Sequence, residues 1–216
     1  MGLLKNRNLK GFRGFTLAEV LITLVIIGVI AAMTIPTLMN NTNKQEYVSR
    51  LKKAYSTLAQ ATNRIIAEEG NPRGDIGGWA TSSSAVYSLY KKHLSNAKDC
   101  PGATAGCFAG TYKGYNSTHN FDTTRNTLVL ADGTEIVFWD LRQDCSIYGQ
   151  GSRDICTLIY ADVNGAKGPN TFGRDTFSFV LKENGLYPAG CDYDECSTAV
   201  DLGCTCRALR EGAINY

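Results

Sequence analysis

The chain has 216 residues with nearly balanced charge (22 Lys and Arg, 20 Asp and Glu, net +2), and 44% of its residues are hydrophobic. So even a balance gives no strongly basic field to argue for nucleic-acid binding. Hydrophobicity is instead concentrated near the N-terminus, where it dictates the first elements.

Residues 1–14 hold Lys5, Arg7, Lys10 and Arg13, no acid, and end on Gly14. Residues 15–39 follow as an apolar run whose one carboxylate is Glu19. About 25 such residues in a helix rise about 37 Å, enough to span a hydrocarbon core of about 30 Å with some tilt. The basic end predicts a cytoplasmic N-terminus and an outward C-terminus. A carboxylate at a helix centre costs roughly 2.5–3.5 kcal/mol on insertion scales, and less near an end, so Glu19 marks function. An ordinary secretory signal is cut at small residues after the apolar stretch. No such site follows cleanly here, and an uncleaved anchor leaves Gly14-Phe15 beside Glu19 unexplained.

The basic leader, Gly14-Phe15-Thr16-Leu17, Glu19 at its offset and the apolar helix together closely resemble the prepilin signal of type IV pilins and type II secretion pseudopilins. The likeness extends from residue 11 to about residue 60. It implies that residues 1–14 are a cytoplasmic leader cut off by a membrane-bound prepilin peptidase between Gly14 and Phe15, with methylation of the new Phe15 N-terminus. It implies a single-pass precursor in the inner membrane with its head outside. An inner-membrane assembly platform would then add it to identical or related subunits in an extracellular or periplasmic filament. Glu19 falls at the family's glutamate position, and Gly28 and Pro36 fall where many pilins loosen the helix.

Between packed apolar helices Glu19 needs a cation, and the nearest in the segment is the mature amine of a neighbouring subunit. Desolvation offsets most of such a pair's attraction, so its expected role is to set axial register. Pro36 removes a helical hydrogen bond and Gly28 is a weak helix former. Membrane helices tolerate both; the resemblance adds that the stretch between them unwinds during assembly.

Residues 40–70 read as an amphipathic continuation of the helix. Tyr47, Leu51, Ala54, Tyr55, Leu58, Ile65 and Ile66 recur at spacings of three, four and seven, with Lys44, Arg50, Lys52, Lys53, Gln60 and Arg64 largely between them. Gly70 and Pro72 predict its end. Such a helix is about 80 Å long, too long for one globule of this size to bury, and is built to be shared among subunits.

Residues 71–216 form an extracytoplasmic head long enough for one core. Residues 126–130 and 134–139 predict a hairpin turning at Asp132-Gly133, and residues 156–161 and 176–181 predict two more strands. The expected class is α+β: a long N-terminal helix, half membrane and half amphipathic, packed on a small antiparallel sheet. That arrangement is pilin-like and stabilised by disulfides.

All eight cysteines, Cys100, Cys107, Cys145, Cys156, Cys191, Cys196, Cys204 and Cys206, lie in the head. An even count confined to the exported part predicts disulfides in an oxidising compartment. Proximity favours Cys100–Cys107 and Cys145–Cys156, with the last four pairing among themselves. The rival for those four is a zinc site, whose usual ligand spacing they do not follow.

Residues 162–175 place Asp162, Asn164 and Asp175 on a glycine-rich loop. Those three side chains would hold a hard cation such as calcium. The opening D-x-N-G resembles an EF-hand loop, but Ala166 takes the fifth position, Lys167 follows, and no closing glutamate completes twelve residues. The preferred reading is an Asx-turn and glycine loop without metal.

No catalytic constellation emerges. His93 and His119 are isolated in sequence, and no nucleophile-elbow, Walker or dinucleotide motif is present. Asn116-Ser117-Thr118 matches a glycosylation acceptor but reads better as a polar loop. The expected function is a structural filament subunit, not an enzyme, with no cofactor and no nucleic-acid partner. The alternatives are a type II secretion pseudopilin and a membrane-anchored binding protein that never polymerises.

Overall fold

The computed structural model describes residues 14–100, 107–114, 118–120, 125–149, 152–191 and 204–214. The leader before Gly14, Cys196, and Asn116 with Ser117 lie outside the described residues, as does the side chain of His119. Residues up to Thr42 form one compact unit, and Asn43 onward forms another.

Helix α1 runs Leu17–Glu69. In the first unit the side chains are unburied: Phe15, just before the helix, is 88% exposed, and Leu17, Ile22, Val25, Ile27 and Met33 of α1 are all more than half exposed. An 18-residue window of this helix is apolar enough to cross a bilayer and has no buried share. Three of its hydroxyls find partners within the helix. Thr23, Thr34 and Thr42 donate to the carbonyls of Val20, Ile30 and Leu38 at 2.9–3.0 Å, as helices in lipid require. Pro36 lies within α1, and the helix continues past it.

In the second unit the predicted stripe of α1 is the buried one. Tyr47, Val48, Leu51, Ala54, Leu58, Ala61, Thr62 and Ile65 are buried, and Tyr55 and Ile66 are half-buried against the same core. Tyr55 stacks on Phe179 with ring centroids 5.8 Å apart. Gly70 ends the helix with φ +83°, and its N–H bonds the Ile66 carbonyl.

Helix α2 (Ser83–His93) is capped by Ser82, whose hydroxyl accepts from the Ala85 N–H. Its buried Tyr90 meets Thr62 of α1, hydroxyl to hydroxyl, at 2.5 Å. Among the described residues ten short strands follow: β1 (Lys98–Cys100), β2 (Thr111–Lys113), β3 (Thr118–Asn120), β4 (Thr127–Val129), β5 (Glu135–Leu141), β6 (Ile147–Gly149), β7 (Ser152–Ile155), β8 (Thr157–Asp162), β9 (Thr176–Lys182) and β10 (Gly185–Pro188). Helix α3 (Thr205–Glu211) completes the described chain.

Six strands form one antiparallel sheet in the order β1-β4-β5-β8-β9-β10, while β2-β3 and β6-β7 are separate ribbons. The β4–β5 hairpin turns at Asp132-Gly133, with Gly133 at φ +84°. Alternate residues of the central strands divide between two cores. Ile136, Phe138, Ile159, Phe177, Phe179 and Leu181 belong to the core that includes the α1 stripe. Val137, Leu158, Tyr160 and Val180 join Phe108, Tyr112 and Phe172 in a second core. Both faces of β8 and β9 are therefore covered, and their residues are buried almost without alternation.

Disulfides join Cys100 to Cys107, Cys145 to Cys156 and Cys191 to Cys206. Cys204 is also disulfide-bonded. Cys191, Cys204 and Cys206 thus take part in disulfides in place of a zinc-binding thiolate set.

Candidate functional site: the start of α1 and the 162–175 loop

The first site begins where α1 begins. Gly14, Phe15 and Thr16 precede the helix, all exposed. Thr16 is its N-cap: its carbonyl accepts from the Val20 N–H at 3.2 Å, and its hydroxyl accepts from the Glu19 N–H at 3.2 Å. Glu19 reaches back. Its Oε2 accepts from the Thr16 N–H and from the Thr16 hydroxyl, each at 2.8 Å. This is a reciprocal capping box, T-x-x-E, in which two otherwise unsatisfied N–H groups are served. Sequence reasoning assigned Glu19 to assembly and passed over the box, although Thr16-Leu17-Ala18-Glu19 spells it. Gly28 has open space where a side chain would stand.

The second site is the loop that joins β8 to β9. Asp162, Asn164 and Asp175 are brought together here, but each is engaged by the chain. Asp162 is fully buried; its Oδ2 accepts from the Tyr112 hydroxyl at 2.8 Å and its Oδ1 from the Asn164 N–H at 3.2 Å. The second bond is an Asx-turn. Asp175 is also fully buried; Oδ1 accepts from the Thr171 N–H at 2.7 Å and Oδ2 from the Asn170 N–H at 2.8 Å. The Asn164 amide donates to the Gly168 carbonyl at 3.3 Å and to the Tyr47 hydroxyl at 3.4 Å. The Asn164 and Asn170 side-chain oxygens are buried without a hydrogen-bond partner. Among the described residues, no group of three or more His, Cys, Asp and Glu is arranged to hold a metal ion.

Glu135, which the sequence did not single out, belongs to the same network. Its Oε2 accepts from the Phe108 N–H at 2.7 Å, and the Ala166 N–H also bonds its carboxylate. Gly165 makes room for this: it has φ +69°, and an added Cβ would stand 3.2 Å from the Gly133 carbonyl oxygen and 3.3 Å from Glu135 Oε1. Burial pushes the Asp162 carboxyl up to about 8, with further upward pressure from the Asp175 and Glu135 charges; the Tyr112 and Asn164 hydrogen bonds oppose it. Burial also raises Asp175 and Glu135 above the ordinary carboxylate range. It raises the Tyr112 phenol too, with Asp162 adding to the effect.

Arg50 fastens α1 to this region. Its guanidinium donates to the carbonyls of Asp132 at 3.3 Å and Val163 at 3.1 Å, and pairs with Glu46 at 2.8 Å. Lys53 pairs with Asp132 at 2.8 Å. A cleft of about 750 Å³ is lined by Glu46, Arg50, Asp132, Glu135, Asn164 and Lys167 among others. His93 lies 3.5 Å from Glu68, with no second histidine described beside it.

The arrangement defines a class: a disulfide-bonded α+β head carried on a helix whose first half is apolar, unburied and long enough to span a membrane. Residues 9–35 match the family described as the prokaryotic N-terminal methylation motif, the signal of type IV pilins and pseudopilins. The architecture is pilin-like, and the motif with its apolar helix supports a membrane-anchored precursor. Comparisons with curated proteins and with solved structures gave no match.

Proposed function

We propose that this chain is a structural subunit of a type IV pilus-like filament, cut between Gly14 and Phe15, methylated on Phe15 and assembled through the first half of α1. The observation that carries this reading is the methylation motif at residues 9–35, whose stretch from Leu17 onward lies on an unburied apolar helix. That surface needs a bilayer before assembly and other apolar helices afterwards. Prepilin peptidase, related subunits and an inner-membrane platform are the partners such a signal calls for. Glu19 supplies the carboxylate that meets a neighbour's Phe15 amine, and Gly28 and Pro36 supply points where the helix yields as it is drawn from the membrane.

A filament on the cell surface is favoured over a short periplasmic pseudopilus by the disulfide-bonded head. Its cysteine cross-links suit an exposed fibre that must survive without repair. Shearing and purifying surface fibres tests the choice. Fibres containing this chain support it. Fibres lacking the chain, with protein export lost on deletion, would make it a pseudopilin. A membrane-bound monomer that is never processed would make it an anchored binding protein.

A further inference from the structure

We propose that a small cavity in the head, between α2 and the entry to β4, binds a phosphate group through Arg125. The inference is independent of filament assembly, because every residue it uses lies in the second unit.

The cavity, about 180 Å³, is lined by Ser83, Ser84, Arg125, Asn126 and Phe138. Clefts for drug-sized ligands start at about 300 Å³, so this one suits a single oxyanion with a few attached atoms. Its lining carries one positive charge and no acid. The Arg125 guanidinium lies 4.1 Å from the Trp139 ring centroid and donates from Nη1 to the Trp139 carbonyl at 2.6 Å. Its Nε is buried without a hydrogen-bond partner. Among the described residues no carboxylate pairs with Arg125, whereas Arg50, Arg73 and Arg207 each pair with one. The stacking and the carbonyl bond hold the planar fork in place, so little rotamer freedom remains to be lost when an anion arrives. Its unpaired charge is left to be met from outside the chain.

The other polar groups of the lining can all donate: the Ser83 and Ser84 hydroxyls and the Asn126 amide. The Ser83 hydroxyl is 3.5 Å from the Trp139 carbonyl, a long bond that is easily exchanged. The Ser84 hydroxyl has no partner among the described residues. Several donors around one guanidinium match the three oxygens and near-double charge of a phosphate better than the two oxygens and single charge of a carboxylate. Inorganic phosphate and a phosphate carried on a glycerol or sugar unit present the same group.

The full chain in detergent micelles, at fixed ionic strength, is titrated calorimetrically with inorganic phosphate, glycerol phosphate and acetate in turn. Saturable binding of one or both phosphates, with acetate at least tenfold weaker, is the expected result. Tighter binding of glycerol phosphate would point to a phosphate carried on a larger molecule, and tighter binding of inorganic phosphate to the free ion. Arg125→Gln should weaken phosphate at least tenfold, the effect of losing hydrogen bonds to a charged group. Ser84→Ala, which removes an unengaged surface hydroxyl and leaves the fold alone, should weaken it about threefold. It keeps the test decisive if Arg125→Gln does not fold. No saturable binding of either phosphate overturns the proposal. So does acetate binding as tightly as phosphate, or wild-type phosphate affinity in both variants.

Discussion

The Tyr112 hydroxyl donates to Asp162 Oδ2 at 2.8 Å, joining residues fifty apart in sequence inside the second core of the head. Asp162, Asp175 and Glu135 are all buried there. The bond ties β2 to the end of β8, while Phe108 bonds Glu135 a few residues away. The loop from 162 to 175 is thus a structural joint whose carboxylates act as acceptors for the chain's own donors.

This joint makes head stability pH-dependent. The folded-state pKa of Asp162 is raised to about 8, and Asp175 and Glu135 are raised as well. The folded head therefore holds protons that the unfolded chain releases. The stabilisation is complete below the unfolded carboxylate range near 4 and is lost as pH rises through about 8. Thermal unfolding of the soluble head should show a midpoint several degrees lower at pH 9 than at pH 5. Asp162→Asn should flatten that slope. A midpoint that rises over the same interval would contradict the assignment.

Arg50 should matter more than a surface arginine. It donates to two carbonyls on separate loops, and exposed ion pairs alone contribute roughly 0–1 kcal/mol. Arg50→Ala should destabilise the head by about 1–3 kcal/mol in urea unfolding, since hydrogen bonds to a charged group are lost and two carbonyls lose a donor. Glu46→Ala, which removes only the exposed partner, should cost less than half as much.

Calcium addition tests the loop directly. All four oxygens of Asp162 and Asp175 already accept from N–H or O–H donors. Adding calcium to about 1 mM, the range of weak extracellular sites, should leave the unfolding midpoint where it stands in chelator. A midpoint that climbs with calcium, and does not climb in Asn164→Ala, would show instead that the buried Asn164 and Asp oxygens rearrange to ligate it.

Much of the fold is legible in the sequence because periodicity follows burial. The α1 stripe from Tyr47 to Ile65, the Asp132-Gly133 hairpin and the strands at 157–162 and 176–182 all carry strong local patterns. Helix α2 is less legible, since its buried face rests on Val86 and Tyr90 alone. The three-residue strands β1 to β3 are too short to show alternation. Glu135 is hidden for another reason: it begins a strand as an ordinary polar residue, and only the fold brings the Phe108 N–H to it. Arg50 reads as a solvent-facing charge between apolar positions, yet it is long enough to reach over the edge of the head. In the N-terminal site Glu19 is conspicuous as a charge among apolar residues. Its bond to Thr16 shows only when the segment is read as a helix start as well as a membrane span.

Glu19→Val separates insertion from assembly. The apolar run inserts without a carboxylate, so expression, membrane insertion and cutting after Gly14 should persist. Fibre yield should drop at least tenfold, because the carboxylate proposed to meet a neighbour's amine is absent. Mixed with the wild-type chain, the variant should enter fibres poorly. Normal fibre number and length from Glu19→Val would remove it from assembly and leave it the helix-capping role alone.

The most direct test of the central claim is the intact mass of the subunit recovered from the host's membrane or fibres. The account predicts a single species that begins at Phe15 and carries one added methyl group. A bulky or charged residue in place of Gly14 should leave the full precursor in the membrane. A mature chain beginning at any other residue, or one beginning at Met1 in a host with an active prepilin peptidase, would contradict it.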